Sequence, residues 1–523
     1  MDAALTETNM RICLISREYP PETGWGGIAT FAKHLAHGLK DLGHDVEVVS
    51  LAVDKPHSIR EAGILVHRVV QKDVGGGLSK GGALMSYSRY VLATSSSLWK
   101  KFIELHRRKP FDVVDCPELL AEGIWPALTK VAPLAVRLYT PHSKFIAERL
   151  HNVRPNLDHQ LVAAIERVAM LSADALTSPS DDLADFVSLD LNLPRERIKI
   201  IRNPIDPEVF QPKGNTAYMP DPRTTVLFVG RLEERKGIHY LIDAIPSIVS
   251  QFKNVRFIIV GDDTNTAAGQ RSVMKELQDK VNKTQIGSYI EWVNRVPLDA
   301  LPSYYRSADI CVVPSVYDNS PYTCLEAMSC GKPVIGTSAG GTREYIVDGE
   351  SGVIVPPRDA EALATSIVEL LHNKARREEL GAAARERVLN HFQRKEIARQ
   401  TVELYQEAIE SFQKRADYKL YRGDPDKLYD ELDQFVHAWD DGMYDMLFLE
   451  PAYRVVHYYR SFKARPKLFL ARTASVVIKK LFGQRANSWS VMQKLQTQID
   501  SKSAAAGTKA AETSGKELTA SRK

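Results

Sequence analysis

The sequence contains no uninterrupted apolar run of about 18 residues, the length that a membrane-spanning helix requires. Its first ten residues also lack the basic start and the apolar stretch of a secretory signal. The five cysteines are scattered, with no Cys-x-x-Cys pair and no neighbouring histidines at metal-ligand spacing. These absences argue against a membrane span, a disulfide framework and a metal cluster, and they predict a protein of the reducing cytoplasm.

The composition is that of a large globular protein. Hydrophobic residues make up 44% and charged residues 26% of the 523 residues, which is ordinary for packed domains. The length predicts two or three domains with full hydrophobic cores. The net charge of +4 is small for this length, and we expect no nucleic-acid partner.

Short apolar strands alternate with helical patterns in the first half of the chain. A strand at 11–15 runs into a Pro/Gly loop at 19–27 and then into a helical pattern at 28–42. Further strand patterns follow at 45–51, 112–115, 134–139 and 175–177. This alternation predicts an α/β domain with a parallel sheet.

The same order of elements restarts at 225–230, after a polar, Pro-rich stretch. We therefore predict two Rossmann-like domains, at 10–205 and 206–390, with ligands bound beyond the carboxyl ends of the strands in the cleft between them. A helix at 391–412 is predicted to pack back on the first domain. The remainder is divided into a helical, basic and aromatic extension at 413–500 and a disordered tail at 501–523.

A basic loop opens the second domain, from Gly230 to Gly237, between a strand and a helix. Arg231 and Lys236 in this loop have the charge to stabilise a departing nucleoside diphosphate, because the leaving β-phosphate gains negative charge as its bond breaks. The alternative is that both are solvated surface charges. Arg235, Glu233 and Glu234 are predicted to be surface residues.

A second segment, from Pro314 to Glu344, makes the pattern specific. It contains two acids, Asp318 and Glu326, with seven residues between them. Together with the basic loop, the segment resembles glycosyltransferase family 4, whose donor site carries two acids at this separation. The resemblance covers about residues 10 to 410. It implies a GT-B fold and a retaining, nucleotide-sugar-dependent transferase, with Glu326 on the ribose hydroxyls and Asp318 beside the donor sugar.

The segment departs from the family pattern at two places. Asp318 stands where a glutamate is most often seen, and Ser320-Pro321 replaces Phe-Gly, so that Pro321 offers no backbone NH to the sugar. The amides of Tyr322 and Thr323 remain candidate donors. Glu326 lies in an apolar stretch where an unpaired carboxylate is costly, which favours a ligand partner. Glu344 needs no ligand partner to explain its position, because an acid in the first turn of a helix is favoured by the helix dipole alone.

Three other places match the family. Gly26 and Gly27, in the first strand-to-helix loop, would let the backbone approach a phosphate, although a simple turn is the alternative. His142 follows an apolar strand where the family carries a histidine that reaches the donor sugar, and it is the catalytic-centre candidate. Arg295 and Val296 fall where the family's backbone meets the nucleobase.

The predicted reaction is a front-face substitution in which the diphosphate leaves and an acceptor hydroxyl enters from the same side. We expect no metal cofactor, because Arg231 and Lys236 can meet the phosphate charge. Three alternatives remain: a sugar-nucleotide epimerase, a phosphorylase, and a sugar-nucleotide-binding protein without transferase activity. A product assay separates them.

The extension has a one-sided charge. No Asp or Glu occurs from 451 to 499, whereas ten Lys and Arg residues do. As a helix, residues 468–482 would be amphipathic with a basic face, which predicts contact with an anionic membrane surface and a lipid-linked acceptor. The alternative is a helix packed on its own protein. The predicted location is thus the cytoplasm, with peripheral contact at the cytoplasmic face of the membrane.

Overall fold

The structure is a computed structural model that describes residues 9–24, 26–71, 86–147, 156–219, 221–267 and 271–414. The predicted tail and nearly all of the predicted extension, including the basic segment at 451–499, lie outside these residues. The described chain forms two α/β lobes, one with a mainly parallel sheet and one with an all-parallel sheet. No helix in these ranges has both the length and the apolar character to cross a membrane.

The first lobe contains an eight-stranded sheet. Its strands are β1 Arg11–Ile15, β2 Asp45–Leu51, β3 His57–Glu61, β4 Ile64–Val69, β5 Val113–Pro117, β6 Leu134–Arg137, β7 Ala175–Ser178 and β8 Ile198–Ile200. The strand order is β3-β4-β2-β1-β5-β6-β7-β8, and all neighbours are parallel except β3 and β4, which form an antiparallel hairpin. All five residues of β1 are buried, as expected for a central strand covered on both faces.

Helices cover this sheet. They are α1 Gly27–Asp41, α2 Ser86–Arg108, α3 Ile124–Thr129, α4 His142–Ala147, α5 Leu157–Leu171 and α6 Asp181–Leu191. In α1 the buried residues, among them Phe31, Leu35 and Leu39, recur at helical spacing and form one face against the sheet. Helix α6 begins at a side-chain cap, because the hydroxyl of Ser180 accepts a hydrogen bond from the backbone NH of Leu183.

The second lobe contains a six-stranded, all-parallel sheet in the order β11-β10-β9-β12-β13-β14. Its strands are β9 Thr224–Val229, β10 Val255–Val260, β11 Ile290–Val293, β12 Ile310–Val313, β13 Val334–Thr337 and β14 Val353–Val355. Its helices are α7 Ile238–Gln251, α8 Val273–Thr284, α9 Leu301–Ser307, α10 Tyr322–Ser329, α11 Thr342–Tyr345, α12 Ala360–His372 and α13 Lys374–His391. The predicted pair of parallel α/β domains is therefore confirmed.

The chain crosses between the lobes twice, and the two crossings are joined. The backbone NH of Ile205 donates to the carbonyl oxygen of Phe392 at 2.9 Å, and the NH of Arg394 donates to the carbonyl oxygen of Ile205 at 3.0 Å. Helix α14, Arg394–Lys414, then packs against α1, where a Cβ on Gly38 would lie 2.6 Å from the carbonyl oxygen of Arg394. The last described helix is therefore part of the first lobe.

Candidate active site

A cleft of about 620 Å³ lies between the lobes, beside the loops that follow several strands of each sheet. This volume is in the range of sites for small molecules and cofactors. Every residue predicted for the site lines this cleft except His142. The carboxyl ends of both parallel sheets meet there, as the fold rule for open α/β sheets requires.

The basic loop reaches the cleft because of a close backbone approach at Gly237. This glycine has a φ of +71° and ends a short turn, Glu234–Lys236, before α7 begins. A Cβ at this position would lie 1.7 Å from the carbonyl oxygen of Pro314. Only glycine therefore allows the basic loop to pack against the loop between β12 and α10.

That packing brings a cation and a carboxylate together. The ammonium of Lys236 lies 2.5 Å from the carboxylate of Asp318, and the guanidinium of Arg235 lies 3.7 Å from the same oxygen. Asp318 is buried, which opposes its ionisation, but the charges of Lys236 and Arg235 outweigh burial and hold its pKa below the usual value. Asp318 is thus an ionised partner of the basic loop.

The predicted surface positions of Glu233 and Arg235 are wrong. Glu233 is buried and accepts hydrogen bonds from Arg235 at 2.8 Å and from Arg231 at 3.3 Å. Arg235 also donates to the carbonyl oxygen of Tyr317 at 3.2 Å. A buried carboxylate needs a cationic partner, so the pair stabilises the loop from inside, while Arg231 remains 59% exposed at the cleft.

Glu326 lies on α10 and is buried at the cleft wall. The hydroxyl of Tyr305 donates a 2.6 Å hydrogen bond to it. Burial raises the pKa of Glu326 to about 7, against the opposing effect of this hydrogen bond. The carboxylate therefore has a protein partner that the sequence did not indicate, and it titrates near neutral pH while lining the cleft.

Two helices begin at the cleft wall. Helix α10 follows Pro321 without a side-chain cap, and its first residues, Tyr322 and Thr323, line the cleft. Helix α1 begins opposite, where a Cβ on Gly27 would lie 3.7 Å from the ring of Tyr322, whereas Gly26 has open space around it. Uncapped helix starts present free backbone NH groups, which suits negatively charged or hydroxyl-bearing ligands.

Arg295 and Val296 also line the cleft, directly after β11. The guanidinium of Arg295 is partly exposed and lies 3.7 Å from the carboxylate of Asp262. The assignment of these two residues to a nucleobase stays a prediction.

His142 begins α4 and is not among the residues that line the cleft. Its Nε2 lies 2.7 Å from Nδ1 of His159, and the two rings stack with centroids 4.9 Å apart. Its backbone NH donates to the buried carboxylate of Glu166 at 2.6 Å. Burial and then the neighbouring His159 lower the pKa of His142 to about 4. Its contact with a donor sugar stays a prediction.

The first lobe contributes two charged residues that sequence reasoning missed, Arg17 and Glu18. They follow β1 and form an ion pair at 2.9 Å. The backbone NH of Arg17 donates to the buried carboxylate of Glu122 at 2.9 Å. Their position after a central parallel strand is the only sequence signal that could have found them.

Within the described ranges, no group of three or more His, Cys, Asp or Glu residues is arranged to hold a metal ion. The expectation that the reaction needs no metal stays a prediction.

Two family models match the chain, one on each lobe. Residues 25–209 match the model described as Glycosyltransferase Family 4. Residues 217–387 match the model described as Glycosyl transferases group 1. The two matched ranges include every residue that lines the cleft except Arg17, Glu18 and Gly24, which precede the first range.

A sequence relative and two solved structures extend this likeness. An uncharacterized glycosyltransferase of Methanocaldococcus jannaschii is 28% identical over 410 residues, which cover 77% of this chain and 99% of the relative. Sucrose-phosphate synthase from Thermosynechococcus elongatus has a TM-score of 0.64 at 22% identity, over 77% of this chain and 100% of that one. The Anabaena protein HepE in complex with UDP and glucose has a TM-score of 0.57 at 19% identity, over 76% of this chain and 99% of that one.

Proposed function

Because the chain belongs to glycosyltransferase family 4, we propose that it moves a sugar from a nucleoside-diphosphate donor to an acceptor hydroxyl with retention of anomeric configuration. The predicted family, the GT-B fold and the transferase class are confirmed by the matches above. The donor, the retention and the acceptor are the proposal. One observation carries it: Arg231, Lys236 and Glu326 line one cleft.

The three side chains suit the parts of one donor. Arg231 and Lys236 are cations that would hold the two phosphates, and the N-terminus of α10 adds backbone NH groups nearby. Glu326 would accept hydrogen bonds from the ribose hydroxyls. HepE binds UDP and glucose on the same fold, so UDP-sugars are the first donors to test.

In the proposed step, the bond between the anomeric carbon and the β-phosphate oxygen breaks first. The electron pair leaves with the diphosphate, where Lys236 and Arg231 stabilise the growing charge. The acceptor oxygen then bonds to the anomeric carbon from the same face, and its proton passes to the departing phosphate. Asp318 is paired with Lys236, which supports an electrostatic role for this acid rather than a role as covalent nucleophile.

A donor screen followed by product analysis tests the proposal. A matching nucleotide sugar raises the apparent melting temperature as its concentration exceeds its Kd. Incubation with that donor and candidate acceptors should give an acceptor-dependent release of nucleoside diphosphate and, by NMR, a product with the donor's anomeric configuration. Donor conversion without acceptor would indicate an epimerase, a need for orthophosphate would indicate a phosphorylase, and binding without release would indicate a non-catalytic protein.

The affinity for the nucleotide sugar is expected to rise about tenfold from pH 6 to pH 8. Glu326, with a pKa of about 7, is mostly neutral at the lower pH and mostly ionised at the higher one, and the ionised carboxylate is the better acceptor for two ribose hydroxyls. Both phosphates of the donor are esterified and do not titrate in this range. Isothermal titration calorimetry at several pH values measures the change.

Two variants control this titration. Glu326→Gln should bind weakly and with no pH dependence. Tyr305→Phe removes the hydrogen bond that favours the ionised form, so its midpoint should move to higher pH. A wild-type affinity that does not change between pH 6 and pH 8 would contradict the contact of Glu326 with the ribose.

We also propose that the extension brings the enzyme to an anionic membrane surface where a lipid-linked acceptor is met. The support is the one-sided charge of residues 451–499. The full-length protein should sediment with phosphatidylglycerol-containing vesicles at low salt. Lys479→Glu/Lys480→Glu should weaken vesicle binding by about thirtyfold or more, because each basic residue near such a surface contributes about 1 kcal/mol. Equal recovery of both proteins in the supernatant would contradict it.

A further inference from the structure

The N-terminus of α6, in the first lobe, is capped by a side chain of the second lobe. Both carboxylate oxygens of Glu344 accept a hydrogen bond from the backbone NH of Asp181 at 3.0 Å, and one of them accepts from the NH of Asp182 at 3.3 Å. A carboxylate at a helix N-terminus is stabilised by the free NH groups and by the helix dipole. The prediction that Glu344 serves only its own helix is therefore wrong, because it joins the lobes.

Arg202 completes this contact from the connecting segment. Its guanidinium forms one ion pair with Glu344 and another with Asp181, at 2.8 Å. Arg202 also donates to the carbonyl oxygen of Pro179 at 3.0 Å. The crossing between the lobes, the first lobe and the second lobe thus share one network of charged hydrogen bonds.

A second contact reaches the same turn of α6. The hydroxyl of Tyr317 donates to the carboxylate of Asp182 at 2.9 Å, and the ammonium of Lys144 lies 3.2 Å from the same oxygen. That ammonium also lies 4.6 Å above the ring of Tyr317. Tyr317 directly precedes Asp318, so the first lobe holds the chain on one side of this acid.

The chain on the other side of Asp318 is held as well. The side-chain amide of Asn319 donates to the carbonyl oxygen of Tyr139 and to the hydroxyl of Thr140, both in the first lobe. These two contacts span the cleft, since Asn319, Tyr139 and Thr140 all line it.

Residues 341–344, here called the Glu344 segment, pack directly on the loop between β12 and α10, here called the Asp318 loop. The backbone NH of Gly341 donates to the carbonyl oxygen of Asp318 at 2.9 Å, and a Cβ on Gly341 would lie 1.9 Å from the carbonyl oxygen of Asn319. A shift of the Glu344 segment therefore displaces the loop that carries Asp318.

We propose that Glu344 is a positioning residue that ties closure of the two lobes to the placement of Asp318. Glu344 is not among the residues that line the cleft, and it acts through the α6 N-terminus and the loop from Tyr317 to Asn319. Its effect on turnover rests on the proposed function, whereas its effect on the separation of the lobes does not. Lobe closure is weakened when the cap is lost, and the two halves of the reaction site then meet less often.

The test compares Glu344→Gln with Glu350→Gln, an exposed acid in the same lobe. Glutamine keeps one acceptor oxygen but turns an NH2 group toward Arg202 or the helix NH groups, which are donors themselves. With the donor and acceptor that the wild type uses, kcat of Glu344→Gln should fall roughly tenfold to a hundredfold, as expected for misplaced reacting groups. The Kd of the nucleoside diphosphate should stay within about twofold, because Arg231, Lys236 and Glu326 all belong to the second lobe. In a double-mutant cycle, Arg202→Gln should cause little further loss of kcat once Glu344→Gln is present.

A second readout is independent of activity. Spin labels at Leu189→Cys and Lys253→Cys, both exposed and one in each lobe, report the distance between lobes in the ligand-free, full-length protein. The five native cysteines are buried, which favours selective labelling of the new sites. Glu344→Gln should broaden the distance distribution and shift it to longer values, and Glu350→Gln should leave it unchanged.

The outcomes are distinct. If Glu344→Gln matches the Glu350→Gln control in both kcat and distance distribution, the positioning role is overturned. A loss of nucleotide affinity and melting temperature together with kcat also overturns it, because that pattern belongs to a general structural defect. If the wild type itself transfers no sugar, the proposed function fails while the distance measurement still decides the role of Glu344.

Discussion

Replacing Lys236 with alanine is expected to lower kcat by about two to three orders of magnitude, the loss typical for removal of one donor that stabilises charge in a transition state. Lys236 lies at the meeting point of the basic loop and the Asp318 loop, and its ammonium is the cation nearest to that acid. Without it, the leaving diphosphate faces the carboxylate of Asp318 with less compensation. Initial rates at saturating donor measure the effect.

Two further variants make the result specific. Lys236→Arg keeps the charge and should retain part of the activity, and Lys275→Ala removes an exposed lysine from the same lobe and should be neutral. Arg231→Ala should have a smaller effect than Lys236→Ala, because the guanidinium of Arg231 is 59% exposed and more strongly screened by water. If Lys236→Ala has rates within twofold of the wild type, the assignment of Lys236 to the phosphate site is contradicted.

The substitution Gly237→Ala is expected to reduce turnover about a hundredfold without touching any polar group of the site. An alanine Cβ would lie 1.7 Å from the carbonyl oxygen of Pro314, so the basic loop and the Asp318 loop must separate by more than an ångström. Lys236 and Asp318 lie on these two loops, so the separation of the loops also changes the distance between the Lys236 ammonium and the Asp318 carboxylate.

Gly349→Ala is a matched control for the backbone conformation. Gly349 has a φ of +72°, nearly equal to the +71° of Gly237, but a Cβ there meets no atom within 4 Å. Both variants should lose about 1–2 kcal/mol of unfolding free energy from the left-handed conformation. Only Gly237→Ala should lose activity and further stability, measured by initial rates and by urea denaturation. Equal behaviour of the two would show that the close approach of the loops does not matter for turnover.

The parallel α/β architecture could be predicted because buried central strands carry continuous apolar runs, Ile12–Ile15 in β1 and Phe257–Val260 in β10. The edge hairpin formed by β3 and β4 was missed. Strand β3 is exposed along nearly its whole length, so its polar sequence carries no hydrophobic alternation. The long helix α2 was missed as well, because its first turn is rich in serine and tyrosine, which are weak helix formers.

The site could be predicted where a residue type and its spacing encode the chemistry. Arg231, Lys236, Asp318 and Glu326 line the predicted cleft because they lie at the carboxyl ends of strands or on the helix that follows. The partners of these residues could not be predicted. Tyr305 reaches Glu326 from a different helix, and such a contact depends on packing that no local pattern records.

Glu233 and Glu344 show a second limit. Each was interpreted from its local helix or loop, where an acid is usually solvated. The structure buries one between two arginines and uses the other to cap a helix of the opposite lobe. Long-range electrostatic contacts of this kind are fixed by how the lobes meet, which the sequence of either lobe alone does not contain.

The most direct measurement of the central claim is a crystal structure of the full-length protein with the nucleoside diphosphate found in the donor screen. The account predicts the β-phosphate within hydrogen-bond distance of the Lys236 ammonium and the Arg231 guanidinium, with both ribose hydroxyls on the carboxylate of Glu326. A nucleotide bound elsewhere, or bound in this cleft with its phosphates away from Lys236 and Arg231, would contradict it.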